Sequence, residues 1–175
     1  MIEMALHESY FPAMQALARL AALLVASVPA NSQEPDAAIV AKEVSAVIKA
    51  LYDGDHARIL KHTHPRVLAL VGGESAFSKV MKESTKTLKD AGFSFQKVEF
   101  GKIEYVAGKE HEFVLIPTKI TVKTADGPDV TPGYQFGVKK KTEKVWSYID
   151  CSSLTDRLAR EWFPDFPKDR KVPEG

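Results

Sequence analysis

The sequence predicts an α+β domain: helices first, then a curled antiparallel sheet of four or more strands, then a short closing helix. Three observations carry that expectation. Apolar residues recur at helical spacing through residues 37–90, and the period changes to two through residues 93–151. Turn-forming stretches such as "ADGPD" and "KTEK" separate the alternating runs. Helices followed by strands, without a repeated strand–helix alternation, indicate helices gathered against an antiparallel sheet.

Val40, Val44, Val47, Ile48 and Leu51 share one helical face, with Asp36 as N-cap and Gly54 as stop, which predicts a first helix over residues 37–52. Asp55 caps a short second helix carrying Ile59 and Leu60, and Pro65 disfavours helical geometry at His64 and so ends it. After the segment "RVLALVGG", Gly72 and Gly73 release the chain into a third helix. Its apolar side is Phe77, Val80, Met81, Ser84 and Leu88, and Gly92 terminates it.

"FSFQKVEFGKIEYV" alternates with a slip near Lys97 and Val98, which predicts one strand with a bulge. "EHEFVLIPTKITVKT" is a long strand in which Pro117 implies an edge position or a second bulge. "GYQFGVKKK" and "VWSYIDC" are the third and fourth strands. Ser153-x-x-Asp156 resembles a capping box opening a helix with Leu154, Leu158 and Trp162, ended by Pro164 and Pro167. A curled sheet with helices over its concave side encloses a pocket.

Length and charge narrow the function classes. The chain has 175 residues, enough for one domain with a real core and short for two. Its formal charge is +1; Glu3, Glu8 and Arg19 sum to −1 in residues 1–33, so the remainder carries +2. Such a near-neutral chain lacks the dense basic face of a nucleic-acid binder, and "KKKTEK" reads as a solvated hairpin end. Cys151 is the single cysteine, so no intramolecular disulfide forms; at the end of a strand it reads as a small packed residue rather than a nucleophile.

Residues 1–33 read as a secretory signal peptide with an upstream extension. The apolar run over residues 20–28 is broken by Pro29 and followed by Ala30 and polar residues, and Met14 is a natural alternative start. The run is too short to span a membrane comfortably. Removal of this segment implies export to a periplasmic or extracellular space; the alternative, an amphipathic helix packed on the domain, implies a cytoplasmic protein. Residues 34–175 form the domain and its tail, whose last charged residues read as solvated.

The phrase "VIKALYDGDHARILKHTHPRV", together with the order of helices and strands over residues 35–151, resembles the nuclear transport factor 2-like superfamily. The resemblance implies a cone-shaped, cystatin-like α+β fold whose members include ketosteroid isomerases, polyketide cyclases, carriers and dimeric scaffolds. The closing phrase "KVWSYIDCSSLTDRLAREWFPDFP" resembles uncharacterised exported bacterial members of that fold. Neither phrase places a residue of this chain in a family's catalytic position, and fold alone does not assign chemistry.

Two constellations remain. His62 and His64 flank Thr63 and in an extended segment would face the same way, yet no third ligand recurs at metal spacing; the structural alternative puts His62 in a last helical turn and His64 before Pro65. Alternation puts Trp146, Tyr148 and Asp150 on one strand face, so Asp150 is either a pocket base assisted by Tyr148 or Tyr134, or a helix cap. The aromatics Phe95, Phe113, Tyr134, Phe136 and Trp146 are expected to fill the concave face and line its pocket.

The expected function is binding of a small apolar or amphipathic ligand, or of a protein partner, without cofactor or metal. The alternatives are an isomerase, dehydratase or hydrolase using Asp150, His62 and Tyr148, and a homodimeric scaffold.

Overall fold

In the computed structural model, which describes residues 37–173, helix α1 (Ala37–Asp53) is followed by α2 (His56–His62), α3 (Pro65–Leu70) and α4 (Glu74–Asp90). Strands β1 (Ser94–Phe100), β2 (Glu104–Ala107), β3 (His111–Thr124), β4 (Gly127–Lys140) and β5 (Ser147–Asp150) come next, and α5 (Asp156–Trp162) closes the described elements. Together they make an α+β fold on a five-stranded antiparallel sheet. Asp36 and residues 1–33 lie outside the described residues.

Helix α1 spans almost the expected residues. Val40 and Val44 are buried against the sheet, while Ala50 joins Ile59 and Phe77 in a smaller core between helices. Asp55 caps α2 through Arg58 N–H, as its position before the helix predicts. Pro65 has a second effect beyond ending α2. Extended His64 becomes an N-cap and Pro65 the first residue of the short helix α3, where a missing N–H removes nothing.

In α4 the buried side differs by one position. Val80 faces solvent, and Thr85 is buried because its hydroxyl donates to the Leu51 carbonyl at 3.1 Å, with the His56 ring 3.3 Å away.

The first expected strand is two. Both β1 and β2 pair with the same side of β3, and the chain leaves the ladder at residues 101–103. Pro117 explains the break: it offers no N–H to this side, and Gly101 N–H donates to its carbonyl at 3.0 Å. Pro117 is therefore neither on an edge strand nor at a shift in the β3–β4 register. It sits in the central strand, opposite the gap.

The bulge falls at Gln96, between the pairs Phe95↔Val122 and Lys97↔Thr121. The extra residue inverts the alternation, so that Phe95, Val98 and Phe100 share the α1 face.

Strand β4 begins at Gly127, before the expected "GYQFGVKKK". Part of this stretch was expected to be the turn "ADGPD". Because Pro117 presents its backbone toward β1 and pairs with Tyr134, residues Tyr134, Pro132 and Pro128 present theirs away from β3. β5 pairs only with residues 135–138, so both prolines lie where no ladder partner waits.

The sheet is covered on both faces. Val114, Ile116, Trp146 and Tyr148 pack with α1, whereas Phe113, Leu115, Phe136, Val138 and Ile149 pack with α5 and the segment after it. That segment, residues 163–173, is a strap: Phe163, Phe166 and Val172 are buried, while Lys168, Asp169, Arg170 and Lys171 are exposed, as expected of the last charged residues. Phe163 and Phe166 enter the core with Phe113 and Phe136, ring centroids 5.2–5.8 Å apart. Burial of each such ring contributes about 2–3 kcal/mol. Arg160 donates to the Pro167 and Arg170 carbonyls at 3.1 and 2.6 Å, and Val172 N–H donates to Asp156 at 2.6 Å.

Candidate functional site

Three groups of polar side chains were candidates for chemistry, and the fold separates them. The first lies between α1 and the sheet. The Tyr148 hydroxyl donates to Glu43 Oε2 at 2.9 Å, and burial, this bond and the Glu43 charge raise the phenol pKa, with Tyr105 adding to the effect. Gly137 opposite makes room for the ring: a Cβ there would meet Val114 Cγ2 at 2.4 Å and Tyr148 Cε1 at 3.2 Å. His62 stacks on Tyr148 with centroids 5.9 Å apart and donates its Nδ1–H to the Trp146 carbonyl at 2.9 Å. The fold thus brings His62 and Tyr148 together as two groups that tie α1 and α2 to β5. A buried phenol needs a partner, and Glu43 is that partner.

Asp150 stands apart from both. It is exposed at the end of β5, accepts from Ser152 N–H and Gln135 Nε2 at 2.9 Å each, and caps the turn Cys151–Ser153. This is the capping role, at an exposed position. The helix beyond it is capped by Thr155 rather than by Ser153. Buried Cys151 has its thiol pushed up to about 12 by burial and then by the Asp150 charge, which keeps it protonated and inert.

The second group fastens the strap. Asp165 Oδ2 accepts from the Glu110 and His111 amides at 2.8 and 2.9 Å, and Oδ1 from His111 Nδ1–H at 2.9 Å. Burial raises the Asp165 pKa, but the two amides and the imidazole outweigh it and hold the carboxyl below the usual carboxylate range. A Cβ on Gly108 would lie 2.5 Å from Asp165 Oδ2, so only glycine lets the hairpin close on the carboxylate.

His64 packs beside this clasp. Its ring stacks on Trp162 at 6.4 Å and meets Phe163 edge-on at 5.1 Å, and its Nδ1 accepts from Arg66 N–H at 3.2 Å. Burial and then the cations around it push its pKa down to about 4. His62 and His64 accordingly point to different neighbours, and no group of three or more His, Cys, Asp or Glu among the described residues is placed to hold a metal ion.

The third candidate is an open cleft of about 550 Å³. Its floor is Leu115, Pro117 and Tyr134 of the strap-side sheet face; Lys102 and Glu104 form one wall and the strap residues 169–173 the other. Arg170 reaches across to Glu104 at 3.7 Å. A volume of this size suits a small ligand. A second hollow of about 540 Å³ lies at the far end of the sheet, where Asp126 and Asp129 rim the β3–β4 hairpin.

The five aromatics expected to share one lining do not. Tyr134 lines the cleft, Phe113 and Phe136 are fully buried in the core beneath the strap, Trp146 packs under α1, and Phe95 lies tilted against Tyr52 with centroids 6.0 Å apart. The cause is the covering of both sheet faces, which assigns alternate residues to different cores. Sequence reasoning missed Glu43, Asp165 and Arg160. Each acts on a partner distant in sequence or on the backbone, and no local spacing signals such a contact.

Fold and site together define a class: an α+β domain on an antiparallel sheet, with a cleft walled by its own C-terminal strap. No family model matches the sequence, and no curated protein matches it.

Proposed function

We propose that this protein is a small ligand-binding domain whose cleft takes an amphipathic anion. The apolar part lies over Leu115, Pro117 and Tyr134, and the anionic group faces Lys102 and Lys171. The observation that carries the reading is the pairing of an apolar floor with a cationic rim. Lys102, Arg170 and Lys171 stand against Glu104 and Asp169, a net +1, and Glu104 is already engaged by Arg170. The groups present there attract and orient an anion; they do not include the buried Tyr148–Glu43 pair.

The reading takes the chain as a cone-like relative of the nuclear transport factor 2-like superfamily, which the helices-then-strands order supports. It also takes the protein as exported, which the apolar run before Pro29 supports. Among the described residues, no helix is long and apolar enough to cross a membrane.

The test is titration of the purified domain with a fluorescent aryl sulfonate and with medium-chain carboxylates. Binding is expected to weaken about tenfold or more in Lys102→Glu and in Tyr134→Ala, with unchanged thermal stability for the lysine variant. Equal affinity in wild type and both variants would sink the cleft reading.

A further inference from the structure

The strap is one wall of the cleft. It pairs with no strand; it is held by Phe163, Phe166 and Val172 in the core, by Arg160 and Asp156, by the Asp165 clasp and by the Arg170–Glu104 contact. The helix at its root, α5, ends in Trp162, and the His64 ring lies on Trp162 and against Phe163. His64 also caps α3 by accepting Arg66 N–H at Nδ1, which requires that nitrogen to be unprotonated.

We propose that the C-terminal strap is a pH-loosened wall of the cleft, held most firmly while His64 is neutral and weakened when protonation costs His64 its cap and sets a charge among like charges. The proposal rests on the cleft being the binding site, and it concerns how that site is regulated.

Protonation at Nδ1 replaces an acceptor by a donor that points at Arg66 N–H, so the α3 cap is lost in the same step. The new charge then sits among like charges. Arg66 on α3, His111 on β3 and Lys140 on β4 all disfavour it, Glu143 after β4 is the one opposing group, and α5 presents aromatic rings.

The sign follows from the downward shift. Packed against Trp162 and Phe163, His64 titrates at about 4 rather than the ordinary 6.5, chiefly because it is buried. Docking is therefore fully supported above about pH 6.5 and loses support as pH falls toward about 4. Discounted for the ring's partial exposure, the docking constant falls on the order of tenfold across that window. Asp165 titrates lower still, so its clasp with the Glu110 and His111 amides survives through the same window and gives way only below the usual carboxylate range.

The experiment follows the backbone amides of Phe166 and Val172 and the Trp162 indole by proton–nitrogen NMR from about pH 7.5 to about pH 4.5, with aryl sulfonate affinity measured on the same samples. In the wild type these signals are expected to move toward flexible-chain positions at the acid end, and the affinity to fall in parallel. His64→Asn keeps a cap acceptor and removes the titration, so its strap is expected to stay docked. Gly108→Ala crowds Asp165 without touching His64 and is expected to produce the acid-like strap signals at neutral pH. Wild-type signals that do not change, or a His64→Asn strap that releases at the same pH, would overturn the inference. Release without sulfonate binding at either pH supports the device and overturns the binding reading instead.

Discussion

Asp165 and His111 stand 54 residues apart along the chain and 2.9 Å apart in space, carboxylate to imidazole. The hairpin between β2 and β3 closes around that contact with two backbone amides, and Gly108 is the residue whose missing side chain makes room for it. This clasp converts a charged C-terminal sequence into one wall of a cleft.

Gly108→Ala is therefore expected to destabilise the domain by about 1–3 kcal/mol, the usual range for crowding a closed contact. Chemical denaturation measures it. A change below about 0.5 kcal/mol would show that the hairpin yields freely around Asp165.

The second crowded glycine lies on the opposite face. Gly137→Ala sets a methyl group against Val114 and the Tyr148 ring, and a loss of about 1–3 kcal/mol is expected with no effect on cleft affinity. Thermal unfolding alongside sulfonate titration separates the two; reduced affinity at unchanged stability would contradict this placement.

Asp150→Asn is expected to be almost silent. Asparagine caps about as well as aspartate, and the residue is exposed and does not line the cleft. Stability within about 0.5 kcal/mol of wild type and unchanged ligand binding are the expected results. Loss of a measured turnover in this variant would instead restore the acid–base role that its position beside Tyr148 in sequence suggested.

Cys151 is expected to resist thiol reagents at about pH 8 in the folded protein and to react promptly once the chain is unfolded. Burial and then the nearby Asp150 charge push its thiol up to about 12, so the thiolate fraction is small as well as covered. Rapid labelling of the native protein, followed by absorbance at the released thiol reagent, would contradict that account.

Much of the fold was legible because its signals are local. The spacing of Val40, Val44, Val47 and Ile48 is a property of one helix, and Asp55 caps the helix that starts beside it. The slip read near Lys97 and Val98 announced a bulge, which lies at Gln96, because a broken alternation has few other meanings. The Pro117 reading failed because whether a missing N–H matters depends on what faces it, here the gap between β1 and β2.

The candidate site was less legible. The aromatic residues were visible, but only the covering of both sheet faces sorted Phe113 and Phe136 into one core and Trp146 and Tyr148 into another.

By itself the sequence determined the fold class, the order of helices before strands, the near-neutral charge and the Asp55 cap, all set by periodicity, composition and neighbours along the chain. Only the tertiary structure decided that Tyr148 answers to Glu43, that Asp165 is gripped by the β2–β3 hairpin, and that residues 169–173 wall a cleft over Pro117 and Tyr134. The physical reason is that buried polar groups must find partners wherever the packed chain puts them, and those partners lie far away in sequence.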